Sequence, residues 1–175
     1  MFGGGRDIFT GASVNNRTLL QMALDRGCKY ISTPAQLAGV LADPAAHTSA
    51  PLLGLFAPSH MPYTIDKTGT PTLTDMVKAA LAVLKAKGKP FVLFVEGSRI
   101  DHAFHENDAA SAAGEVLDYD NAFAAAVQYA DGAKGSGSSS PTTVIRCVSP
   151  PPPPRPPPPP SPPPPSLILF CVQRC

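Results

Sequence analysis

The sequence has no tryptophan, few charges and few cysteines. Charged residues make up 15% of the 175 and the net charge is +1, so bulk electrostatics offers no grip on nucleic acid or on an anionic membrane. The four cysteines, Cys28, Cys147, Cys171 and Cys175, are scattered. They make neither a disulfide framework nor a zinc-knuckle spacing, and read as unpaired thiols that leave the redox compartment undecided. The N-terminal MFGGGRDIF has no basic stretch followed by an apolar core, so no signal peptide is expected. The apolar run in SLILFCVQRC is far shorter than the roughly 20 residues a membrane span needs.

Proline, in contrast, is abundant, with 22 residues in the chain. From Pro150 to Pro165 only Arg155 and Ser161 interrupt it. Such a tract cannot build a packed core. It reads as a polyproline II rod of roughly 50 Å at most, a solvated spacer or a ligand for an aromatic-lined groove. The chain therefore divides into a globular part, residues 1–147, and a proline-rich low-complexity tail, residues 148–175. The first part is long enough for one domain with a modest core.

Within it, helical and strand patterns alternate. FGGGRD opens as a glycine turn; it reads as a tight connection, because too little chain precedes it for a strand and a phosphate cradle needs one. NNRTLLQMALDRG reads as a helix closed by Gly27. CKYIS reads as a strand. Thr33 and Pro34 start a helix as N-cap and first-turn proline, and Pro44 stops it. LLGLF is a second strand. Thr72 and Asp75 form a capping-box start for a helix that runs to Gly88. FVLFVE, apolar on both alternations, reads as a central strand covered on both faces. A long helix follows, from about Asn107 to Ala130, then a flexible DGAKGSGSSS loop and a fourth strand in PTTVIRCV. Alternating elements of this kind predict a parallel α/β sheet, with ligands beyond the carboxyl ends of its strands.

That is where FVLFVEGSRIDHAFHEND places its chemistry. Asp101 and His105 are four residues apart, so one helical turn stacks them on one face as a carboxylate–imidazole pair suited to zinc. Glu96 leaves the strand end itself and suits a harder ion such as magnesium. Gly97 and Ser98 permit the tight turn between them. Spacing alone also fits a solvated helix face. His102 and Glu106 read as outer or solvent groups, Asp118 and Asp120 as surface charges, and His47 and His60 as loop residues, His60 with the alternative of lining a cleft.

The segment FVLFVEGSRIDHAFHENDAASAAGEVLDYDNAF resembles the VEGGRIDHxxH segment and following helix of the alkaline phosphatase family. The resemblance extends back through TPTLTDMVKAAL and GLFAPSHMPYTID to GGGRD, covering about Phe2 to Ile145. It implies an alkaline-phosphatase-like parallel-sheet sandwich with helices on both faces, here incomplete and followed by the polyproline tail. It also implies a binuclear zinc centre with a nearby magnesium, and a serine nucleophile acting on phosphate monoesters. Glu96 matches the magnesium ligand; Asp101 and His105 match two ligands of one zinc. Ser98 stands where glycine is usual. Arg99 matches the motif but not the family's phosphate-clamping arginine.

The family's Asp-Ser-Ala-type nucleophile motif and clamping arginine have no counterpart in these residues, so no catalytic residue is assigned. The TADH segment that supplies the second zinc is replaced after TTVI by RCVSPPPP. Ala57 stands where some animal members carry a calcium-binding glutamate, and no calcium site is expected. The resemblance implies a phosphate monoester substrate, homodimers among complete members, and a secreted, periplasmic or cell-wall setting for them. No nucleic acid partner is expected. The expected reading is an internal piece of such an enzyme, inactive by itself. The alternative is a non-catalytic remnant fused to a spacer similar to the hydroxyproline-rich rods of plant and green-algal matrix proteins. The spacing in VEGSRIDHAFH argues against a phosphodiesterase or sulfatase relative.

Overall fold

A computed structural model describes residues 1–11, 13–66, 69–134, 142–146 and 168–173. The proline tract expected to form a polyproline II rod lies outside them, as does most of the DGAKGSGSSS loop.

The chain opens with strand β1 (Phe2–Gly3) and helix α1 (Arg6–Gly11). A small hairpin follows, β2 (Ser13–Val14) and β3 (Arg17–Thr18), then helix α2 (Leu19–Asp25) and strand β4 (Lys29–Ile31). Helix α3 (Pro34–Ala42) leads to strand β5 (Leu52–Leu55), helix α4 (Leu73–Lys87) and strand β6 (Phe91–Glu96). Helices α5 (Arg99–His105) and α6 (Ala109–Lys134) precede strands β7 (Thr142–Arg146) and β8 (Ile168–Gln173). Single 3-10 turns span Ala45–His47 and Thr64–Asp66.

Six strands form one sheet in the order β4-β5-β1-β8-β6-β7. All its pairings are parallel, as the alternation of strand and helix patterns predicts. The core lies between the sheet and the packed helices α3, α4 and α6, and includes Phe2, Leu52, Met76, Val77, Leu84, Leu93 and Val95. Along β6, Phe91, Leu93 and Val95 are buried, while Val92, Phe94 and Glu96 on the other face are half-buried. Among the described residues no helix is long and apolar enough to cross a membrane.

The caps follow the sequence closely. Thr33 accepts a hydrogen bond from the Gln36 N–H and Thr72 from the Asp75 N–H, each closed reciprocally as a capping box. Helix α4 ends at Gly88, whose φ of 62° is the left-handed geometry that favours glycine there.

Three readings change. The helix expected over NNRTLLQMALDRG is only α2. Asn15 and Asn16 both have positive φ and make the tight turn of the β2–β3 hairpin, and Thr18 becomes the N-cap. The glycine opening does follow a strand, because Phe2 and Gly3 pair with Gly54 and Leu55. The N–H groups of Gly5, Arg6 and Asp7 donate to the carbonyls of Ser59, Ala57 and Pro58. These donors are spent on a loop and leave no phosphate cradle, which matches the tight-connection reading. The third change is β8. Residues 168–173, grouped by composition with the proline tail, form a strand inside the sheet.

Candidate metal-ligand site at the end of β6

Strand β6 ends at Glu96 on the carboxyl edge of the sheet, and the chain turns at once into α5. Gly97 makes the turn possible for a packing reason. A Cβ there would stand 2.9 Å from Tyr119 Cδ2 and 3.1 Å from Ile100 Cδ1, too close for an alanine without displacement. The Ile100 N–H closes the turn on the Gly97 carbonyl at 3.1 Å. Helix α5 then runs for 7 residues and stops where Asn107 adopts a φ of 57°.

Asp101 and His105 sit one turn apart on α5, as their spacing predicts. His105 Nε2 lies 3.4 Å from Asp101 Oδ2, and the side chains are 75% and 43% exposed. That separation is long for a hydrogen bond. It is an ordinary distance for an i,i+4 ion pair, and it is also compatible with a shared metal: two donors about 2.0–2.2 Å from a tetrahedral zinc lie roughly 3.3–3.5 Å apart. The imidazole and carboxylate are the donor types zinc takes. Glu96 is half-buried, and desolvation raises its pKa above the ordinary carboxylate value. Among the described residues no three His, Cys, Asp or Glu side chains converge as a complete metal site. The structure thus brings Asp101 and His105 together and leaves Glu96 apart at the strand end. As zinc donors the pair fits, and it amounts to two of the three or four protein ligands such a site needs.

A polar cluster that sequence reasoning did not assemble surrounds this pair. Arg99 is buried, with its guanidinium 3.8 Å over the Tyr63 ring. Its Nη1 lies 2.9 Å from His102 Nδ1. An arginine can only donate, so His102 Nδ1 accepts and the ring is held neutral. Desolvation, His60 and Arg99 together lower the His102 pKa. The His60 and His102 rings meet edge to face at 4.5 Å. Tyr63 donates to Glu106 at 2.7 Å, and its pKa is pushed up to about 12, chiefly by burial and then by that bond. His60, Arg99, His102, His105 and Glu106 line an open pocket of about 200 Å³. His102, Glu106 and His60, read from sequence as outer, solvent or loop groups, therefore share one cleft. Nothing in the spacing of His60 or Tyr63, some forty residues upstream, signals that contact.

Asp118 corrects the sequence reading outright. It is 5% exposed and accepts from the Leu73 N–H at 2.8 Å, the Thr74 N–H at 3.2 Å, the Thr74 hydroxyl at 2.7 Å and the Thr64 hydroxyl at 3.3 Å. Glu115, also buried, accepts from the Thr64 N–H at 2.7 Å, and the single Thr64 hydroxyl proton is shared between Glu115 at 3.0 Å and Asp118 at 3.3 Å. The two carboxylates satisfy the otherwise orphaned donors at the start of α4 and of the Thr64–Asp66 turn. A signal was present: Ser111, Glu115, Asp118, Ala122 and Ala126 share one helical face, and all are buried. Asp120, by contrast, is exposed.

The family model for alkaline phosphatase matches residues 1–136. The repressible alkaline phosphatase of Saccharomyces cerevisiae is 36% identical over 151 residues, covering 75% of this chain and 27% of its own length. Alkaline phosphatase 4 of Bacillus subtilis is 34% identical over 131 residues, covering 74% and 26%. A crystal structure of a cold-active alkaline phosphatase from the psychrophile Shewanella sp. is similar with a TM-score of 0.64 at 33% identity, covering 84% of this chain and 32% of that one. The chain thus spans about a quarter of the length of these two curated relatives.

Proposed function

This chain belongs to the alkaline phosphatase family, and from that premise we propose that its β6–α5 corner is part of a zinc- and magnesium-dependent centre for phosphate monoester hydrolysis. Asp101 and His105 are the two donors to one zinc, and Glu96 is a donor to magnesium. The observation that carries this reading is the 3.4 Å separation of Asp101 Oδ2 and His105 Nε2 at the carboxyl edge of the sheet. Metal ions at such a centre polarise phosphoryl oxygens and generate a nucleophile near neutral pH.

This chain's own residues hold and orient. The first turn of α5 fixes Asp101 and the last fixes His105. Arg99, clamped between Tyr63 and His102, anchors α5 against the loop that carries His60. These 175 residues bring two zinc donors and no assigned nucleophile, so a polypeptide of these residues alone is expected to turn over no phosphate ester. Two measurements test the reading. Hydrolysis of 4-nitrophenyl phosphate at alkaline pH with both metals supplied should stay at background. Zinc titration by calorimetry should show weak binding that His105→Ala weakens at least about tenfold, the least expected where loss of even a ligand's hydrogen-bonding partner costs about 10–100-fold. Turnover abolished by His105→Ala would overturn the inactive reading. Zinc binding indifferent to both Asp101→Ala and His105→Ala would overturn the ligand assignment.

A further inference from the structure

The strand at the centre of the sheet comes from outside the family-matched part of the chain. The match ends at residue 136, yet β8, Ile168–Gln173, lies between β1 and β6. It pairs with β6 over six consecutive positions, from Ile168 opposite Phe91 to Gln173 opposite Glu96. It pairs with β1 through Val172 opposite Phe2, and it lies against α4. Remove it, and the facing edges of β1 and β6 have no strand between them. The half-sheet β4-β5-β1 would then share no backbone ladder with β6-β7. Unpaired edges of this kind are costly when buried and adhesive when exposed.

We infer that residues 168–173 act as a tethered donor strand. The sheet contains a slot one strand wide between β1 and β6 that accepts an apolar, proline-free segment in parallel register, and this chain fills it with its own C-terminal segment. The sequence carries the selectivity. Prolines have no N–H and cannot serve a central ladder, so the tract from Pro150 to Pro165 cannot enter the slot. The following ILFCVQ can, and it is apolar on both alternations until Gln173, the sequence pattern of a strand inside a parallel sheet. The tether is long enough. From the carboxyl end of β7 to the amino end of β8 is roughly 20 Å, from one strand length and two strand spacings. The intervening residues 147–167 can reach several times that distance. The register has a consequence for the candidate site, because it brings position 173 level with Glu96 on the carboxyl edge.

Hydrogen–deuterium exchange on the full 175-residue chain, run at two protein concentrations beside size-exclusion chromatography, tests this. Amides of residues 169–173 are expected to be protected to within about tenfold of those of Leu93–Glu96, in a monomer at both concentrations. Unprotected exchange in 169–173 while β6 stays protected would overturn the inference. So would protection found only in a dimer that is lost on dilution, since the donor strand would then come from a second copy. Phe170→Pro, which removes a ladder donor mid-strand, is expected to speed exchange in β6 and β1 by at least about tenfold. Adding a synthetic peptide of residues 167–173 should restore that protection, whereas Ser161→Pro in the tether should change nothing. Unchanged β6 exchange in Phe170→Pro would refute the slot.

Discussion

At the scale of single residues, the two acids that matter most for the fold are those whose neighbours must be satisfied. Asp118 takes up the first N–H groups of α4 and two threonine hydroxyls from inside a buried junction. Asp118→Ala removes all these acceptors at once and leaves the buried Leu73 N–H without a partner. The expected loss is about 3 kcal/mol, read as a lower urea midpoint with an unchanged slope. Asp120→Ala, one exposed position pair away on the same helix, should change stability negligibly. A second acid yields a pH dependence. Asp108 accepts from the Ser111 hydroxyl at 2.6 Å and the Ser111 N–H at 3.0 Å at the start of α6, and these bonds hold its pKa below the ordinary aspartate value. A depressed folded pKa contributes stability that is present above the unfolded value of about 3.9 and lost as pH falls through the folded value. Thermal melts should therefore show Asp108→Ala melting below the wild type at pH 6. The gap should close progressively below about pH 4. A gap that stays constant into acid would show that the carboxylate's charge contributes nothing to the cap.

At the scale of elements, local chemistry decides what forms and long-range contact decides what it becomes. The Thr72–Asp75 capping box is self-contained: the Asp75 N–H donates to the Thr72 hydroxyl at 3.0 Å and the Thr72 N–H donates to the Asp75 carboxylate at 3.0 Å. Thr72→Ala should cost about 1 kcal/mol in chemical denaturation, and Thr72→Ser should recover most of it. Such devices are legible in the sequence because every atom involved lies within four residues. So were the strand over FVLFVE, the α5 turn that stacks Asp101 on His105, and the termination at Gly88. What was not legible depends on partners far along the chain. NNRT is a hairpin turn and not helix because two asparagines tolerate positive φ, which outweighs the helical spacing of the leucines that follow. The spacing along α6 puts Asp118 on the buried face, but its partners Thr64 and Thr74 approach from other elements. The ring contact between His60 and His102 joins a loop to helix α5, a relation no spacing rule expresses. ILFCVQ carries an apolar strand pattern, but only its pairing with β6 and β1 shows that it belongs to the sheet.

At the scale of the whole molecule, helix α6 leaves an apolar stripe uncovered among the described residues. Helix α6 buries one face on α4 and α5, yet Val116, Leu117, Phe123 and Val127 are 45%, 65%, 47% and 41% exposed. Val116, Phe123 and Val127 recur at intervals of seven and four, so they form a single stripe along the helix. Leu117, with Ala113 and Ala124, faces a groove of about 810 Å³ shared with Ile65 and Lys78. Scattered apolar residues are ordinary on a surface, but apolar residues aligned in one stripe favour association. With a net charge of only +1, little repulsion opposes it. Light scattering should therefore show self-association that rises with protein concentration and strengthens with added sulfate, which favours apolar burial. Phe123→Glu combined with Val127→Lys places two charges on the stripe without touching the buried Ala122 and Ala126. This pair should lower association several-fold while leaving the thermal midpoint within a few degrees, because exposed positions carry little of the folding free energy. If the double variant associates as strongly as the wild type, the adhesive surface lies elsewhere. The edge strands β4 and β7 at the two ends of the sheet are then the next elements to charge.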